Sequence, residues 1–134
     1  MMSEEIAVKM CLNCGHLGYR AWYEWLWEDY IYDEEGRIKM VDSYVGDWVE
    51  YECSECGNDL IIDLILSRNA YRELYNSSNR IKTLLKLMLE NRVSGFDVKY
   101  VIRMLLDLHP PEEGDEEYRE LFKKVCSKYD LEVV

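Results

Sequence analysis

Four of the five cysteines fall in two matching stretches, Cys11-Leu12-Asn13-Cys14-Gly15 and Cys53-Ser54-Glu55-Cys56-Gly57. Two cysteines three positions apart can turn both sulfurs toward one ion when the backbone makes a tight knuckle. The glycine that follows supplies the backbone freedom the knuckle needs. Two knuckles deliver four thiolates, Cys11, Cys14, Cys53 and Cys56. That set fills the tetrahedral shell zinc prefers and leaves no open position for water or substrate. The chemistry expected is one structural Zn²⁺, with iron as the other metal that four thiolates hold. Disulfides fit less well. The fifth cysteine, Cys126, leaves an odd count. The opening residues Met1 to Glu5 are acidic and lack the basic-then-apolar order of a secretory leader. The cysteines therefore read as metal ligands in a reducing, cytoplasmic compartment.

No other residues form a recognisable reaction centre, and the chain reads as a non-enzyme. The only histidines are His16 and His109. Neither has a serine or cysteine nucleophile or an acid partner at a familiar spacing. His16 follows the first knuckle and could donate to a thiolate, but four sulfurs already complete the shell. His109 precedes two prolines and reads as a helix end. Cys126 lies on an apolar helical stripe and reads as a core thiol. Glu24, Glu28 and Asp29 are carboxylates with no histidine or glycine-rich loop nearby to make them an acid–base pair.

The doubled CxxCG flanked by strand-like sequence resembles the zinc ribbons, β-sheet metal modules of RNA polymerase subunits, transcription factors and RNA-processing proteins. The resemblance covers residues 6–58 and rests on the four cysteines and their following glycines. It implies a structural zinc and, often, a place in a larger transcription or RNA assembly. The same doubled CxxCG is similar to that of the rubredoxins, which hold iron in four thiolates.

Charge and aromatic content narrow the choice of partner. Residues 1–66 carry 4 basic and 15 acidic side chains, whereas residues 67–134 carry 12 of each. The metal-bearing half should repel a phosphate backbone and attract a basic protein surface. All four tryptophans, Trp22, Trp25, Trp27 and Trp48, lie between the two knuckles among many tyrosines. Aromatic residues most often anchor protein interfaces, so these four are the expected partner-binding residues. If nucleic acid is the partner, residues 78–106 are the place for it. They read as a basic helix-turn-helix-like hairpin with Lys82, Lys86, Arg92, Lys99 and Arg103 near phosphates. No stretch has the roughly 20 apolar residues that cross a bilayer, so no membrane contact is expected.

The elements that position these residues follow from pattern. Residues 6–10 predict a strand into the first knuckle. Residues 19–32, dense in aromatics, predict strand, and on one continuous strand Tyr19, Tyr23, Trp25 and Trp27 would share a face. Asp33 to Gly36 and Gly46-Asp47 are turn signals. Arg37 to Tyr44 and Trp48 to Cys53 predict two further strands. Residues 60–66 are apolar on every side, as a strand, a helix, or one passing into the other. Helical stripes follow to Tyr75, from Ile81 to Met88, from Val98 to Leu106, and from Tyr118 to Tyr129. Asn76 to Asn79 offers helix caps, and Ser94-Gly95-Phe96-Asp97 resembles a capping box. The expected fold is α+β. A zinc-bound, antiparallel three-stranded β-meander (residues 1–59) packs with a C-terminal bundle of about four helices (residues 60–134) as one unit.

Overall fold

The computed structural model describes residues 5–23, 25–46, 50–111 and 115–131. Strand β1 (Glu5–Cys11) leads into the first cysteine knuckle. It pairs antiparallel along its whole length with β6 (Ile61–Ser67), from Glu5 opposite Ser67 to Cys11 opposite Ile61. Alternation in both strands is that of a half-buried sheet. Val8, Met10, Ile62, Leu64 and Leu66 point inward and are buried. Lys9 and Asp63 face each other on the outer side as an ion pair at 2.6 Å. The apolar run 60–66 is thus a strand, and it passes into helix α1 (Arg68–Tyr75) without a loop. Ser67 ends the strand, and its hydroxyl accepts the Ala70 N–H as N-cap.

A third strand, β7 (Val93–Ser94), pairs with Leu66 and Ile65 and gives the order β1-β6-β7. Sequence pattern makes Val93-Ser94-Gly95 the turn of a helical hairpin, and that is corrected here. The segment joins the sheet, because the outer edge of β6 needs hydrogen-bond partners. The capping box is corrected with it. Asp97 itself is the N-cap of α3 (Val98–Leu108), and its carboxylate accepts from Lys99 N and Tyr100 N.

Helix α2 (Arg80–Leu89) starts on the Asn79 cap, within the expected Asn76–Asn79 break. Helix α4 (Glu116–Lys128) starts on Asp115, with Glu116 and Glu117 complementing its first turn. The acidic residues just before it, Glu112 and Glu113, lie outside the described residues. Lys128 on α4 donates to Met88 O and Leu89 O, carbonyls of the last turn of α2. Tyr71, Leu74, Leu84, Leu85, Val101, Leu105 and Phe122 meet the inner face of the three-stranded sheet in one core. Cys126 is part of that core, and burial pushes its thiol pKa up.

The remaining strands form a second, four-stranded antiparallel sheet in the order β4-β3-β2-β5: β2 (Gly18–Tyr23), β3 (Leu26–Tyr32), β4 (Ile38–Val45) and β5 (Tyr51–Glu52). The meander expected from 19–32, 37–44 and 48–53 is corrected: the first of these strands is the hairpin of β2 and β3, and β5 pairs with β2 rather than with its chain neighbour β4, so the sheet has four strands. The single aromatic strand of the sequence reading is corrected to a hairpin. Tyr23 pairs with Leu26, and Trp25 lies at the tip between them. Folding the segment back reassigns every face. Tyr19 and Tyr23 now lie beside Tyr30 and Tyr32, while Trp22 lies opposite Trp27 on the other side. No turn residue announces this hairpin. Trp25 occupies the left-handed backbone region at φ 75°, which a bulky side chain rarely adopts.

Candidate metal centre

The two knuckles have the same local geometry. Gly15 N–H donates to Cys11 O and Gly57 N–H to Cys53 O, each at 2.9 Å. Both glycines are in the left-handed region, at φ 79° and 75°, where a side chain would be strained. The four sulfurs lie within 4.8 Å of one another. Cys11 Sγ is 3.6 Å from Cys56 Sγ, and Cys14 Sγ is 3.5 Å from Cys53 Sγ. A metal–sulfur bond of about 2.3 Å in a tetrahedron sets sulfur–sulfur edges near 3.8 Å. The observed pairs sit close to that and far beyond a disulfide bond of about 2.05 Å. The donor set therefore fits a four-thiolate metal ion.

Protonation differs around the cluster. Burial and neighbouring thiols push Cys14 up to about 11, and burial pushes Cys11 up as well. Cys56 is also pushed up by its burial. Hydrogen bonds from Asn13 Nδ2 at 3.4 Å, from Asn58 N–H and from the Cys11 and Cys14 thiols outweigh this and bring it down to about 7. A metal ion that replaces the thiol protons removes the mutual repulsion of four thiolates, which is why such a cluster holds a cation tightly.

Second-sphere contacts come from both halves of the chain. His16 is not one of the clustered donors. Its Nε2 lies 3.2 Å from Ser54 Oγ, so the ring bridges the two knuckles, and burial lowers its pKa. His109 is the C-cap residue of α3, as its position before two prolines suggests. Its Nε2 also reaches the carbonyls of Leu12 and Asn13, at 3.0 and 2.7 Å. Arg80, at the start of α2, donates to Leu74 O, Tyr75 O and Gly15 O. The helical half thus holds the first knuckle from two directions. Neither contact is visible as a motif, since a carbonyl acceptor leaves no trace in residue type.

Arg80→Ala removes a donor from three carbonyls: Leu74 O keeps the Ser77 N–H at 3.2 Å, whereas Gly15 O and Tyr75 O lose the guanidinium that holds them. It is expected to lower stability by about 2–3 kcal/mol. Arg80→Lys should not restore it, because one ammonium cannot span a planar fork's three acceptors. Thermal unfolding of the two variants decides this, and equal stability of Arg80→Lys and the parent chain contradicts it.

The other expected site residues are distributed as follows. Trp22 and Trp27 face each other across β2 and β3. Trp27 packs edge-on against Tyr44, and the Arg20 guanidinium stacks over both rings. Arg20 is held in turn by Asp29 at 2.8 Å and Glu52 at 3.0 Å, and Glu28 accepts from Tyr30 Oη. These carboxylates serve structure. Trp25 stands at the hairpin tip, 77% exposed, edge-on to Trp22. Trp48 lies outside the described residues. Of the five basic residues in 78–106, Lys82 pairs with Asp115, Lys86 with Glu117, and Arg92 with Glu73 and Glu90. Lys99 and Arg103 lie on α3 beside a cavity that Asp130 also lines. Helix α2 packs on α4, and β7 separates α2 from α3. No helix among the described residues is long and apolar enough to cross a membrane.

No family model, no curated protein and no solved structure matches this chain.

Proposed function

We propose that this chain is a small acidic zinc-binding module that acts by binding another protein, with the metal in a structural role. The observation that supports this best is the pairing of a closed sulfur cluster with an exposed aromatic sheet. Four thiolates at tetrahedral spacing leave a metal ion no position for a reacting group. Zinc suits such a set, because it needs no redox partner and gains folding energy from all four sulfurs. Iron remains the minor alternative. The cluster ties the ends of the segment that carries the four-stranded sheet, and that sheet holds Trp25 in solvent at the expense of backbone strain. Strain kept at an exposed aromatic tip points to use rather than to packing.

The nucleic-acid reading has less in its favour. A duplex contact through 78–106 would first have to take Lys82, Lys86 and Arg92 from their carboxylates. It would also face the negative potential of residues 1–66.

Trp25→Asn separates a binding tip from a packing residue. Asparagine tolerates left-handed backbone, so the melting temperature should stay within a few degrees or rise. Capture of the native partner from cell extract should be lost. Unfolding of the variant, or undiminished capture, would sink this reading.

A further inference from the structure

The register of the four-stranded sheet separates its side chains into two unlike faces. One carries Trp22, Trp27 and Tyr44 with Arg20, Asp29 and Glu52, already closed on itself by ion pairs and stacking. The other carries Tyr23, Leu26, Ile38, Met40, Val45 and Tyr51. All six are exposed, Tyr23 at 60% and Val45 at 82%. They share that face with Tyr19, Tyr30 and Tyr32, which pack together near β1. An apolar surface gathered on one side of a sheet is uncommon on a chain that stands alone, where exposed apolar residues are scattered. The tryptophans named from sequence are thus not its main residues.

The surroundings of this face state what chemistry it accepts. Between β5 and the outer side of β1 and β6 runs a groove of about 540 Å³, lined by Lys9, Glu50, Tyr51, Glu52, Asp59 and Asp63. Its one cation, Lys9, is bonded to Asp63 and sits over the Tyr51 ring at 4.7 Å. Glu50 and Asp59 are exposed. Glu52 is held by Arg20 and Asp63 by Lys9, which leaves Glu50 and Asp59 without an ion pair among the described residues; a tyrosine ring near such carboxylates suits an ammonium or guanidinium group, as the seat of Lys9 over Tyr51 shows.

Building on the interaction-module reading, we infer that the tyrosine-rich face of the four-stranded sheet docks a cationic, apolar segment of a partner protein. Apolar side chains of that segment lie on Tyr23, Leu26, Met40 and Val45, and an arginine or lysine enters the acidic groove beside Tyr51. Two charges close to a desolvated apolar patch set orientation and rate of encounter, and the patch supplies affinity.

The test is selection of a random displayed peptide library on the full metal-loaded chain, followed by amide-shift mapping with a selected peptide. The expected binders alternate apolar residues with Arg or Lys. They should move the amides of Tyr23, Leu26, Met40, Val45 and Tyr51, and weaken with salt. Leu26→Ser should weaken them at least tenfold, as should Glu50→Lys combined with Asp59→Lys, at unchanged melting temperature. Acidic or neutral binders, or the absence of any binder, overturn the proposal. Concentration-dependent shifts on this face without peptide overturn it too, since the occupant is then a second copy. Cationic binders that map to Trp22, Trp27 and Tyr44 overturn the choice of face while the interaction-module reading stands. Loss of that broader reading is scored separately, by the Trp25→Asn capture.

Discussion

Replacing Cys56 with serine is expected to abolish stoichiometric metal uptake and to lower the stability of the chain by more than about 4 kcal/mol. The position is chosen because its side chain is exposed and fills no part of the core. A serine there removes one sulfur and almost no packing, so whatever is lost belongs to the ion. The four-stranded sheet hangs between the two knuckles, and β5, which runs into the second, is only two residues long. Too few hydrogen bonds remain to hold that end without the metal. Removing the ion with a chelator should have the same effect as the substitution. Cys126→Ser is the control. It sits in the core away from the cluster, so it should cost stability yet keep the full metal content. Elemental analysis alongside thermal unfolding decides the matter. A Cys56→Ser chain with unchanged metal content and melting temperature would show that the cluster is not a metal site.

The second large effect is expected at Tyr71, which is fully buried among the helices. Tyr71→Ala should cost about 3–5 kcal/mol, the range for deleting a buried aromatic ring. Its hydroxyl adds a specific link, donating to Asp33 O at 2.6 Å in the β3–β4 turn. Tyr71 therefore joins α1 to the four-stranded sheet. Tyr71→Phe isolates that bond. Asp33 O also accepts the Gly36 N–H at 3.0 Å, so it is not orphaned, and the loss should be about 1 kcal/mol. Denaturant titration of both variants gives the split. A Phe variant as unstable as the Ala variant would mean that the hydroxyl, not the ring, holds the two parts together.

The metal ligands and most helices were legible because their signals are local. A CxxCG needs no knowledge of the rest of the chain, and the stripes from Ile81 and Tyr118 continue for about two and three turns. Ser67 and Asp97 show where local reading reaches its limit. Each caps a helix, but which polar residue does so depended on where a strand ended. The partner of β1 was out of reach, since pairing across fifty residues or more leaves no periodic mark. The hairpin at Trp25 was misread for a different reason. Turn residues are recognised because they relieve strain, and this loop uses one that does not. That single misreading transferred the aromatic residues to the wrong faces.

Trp25 has a consequence for anyone who evolves or engineers this chain. Its backbone conformation costs about 1–2 kcal/mol in a residue with a large side chain, and its ring returns little of that, being mostly in water. Variants screened only for heat resistance should accordingly replace this tryptophan early, with asparagine or glycine. Such a library would grow sturdier while losing the tip, and a sequence that retained Trp25 through many generations would record selection for something other than durability.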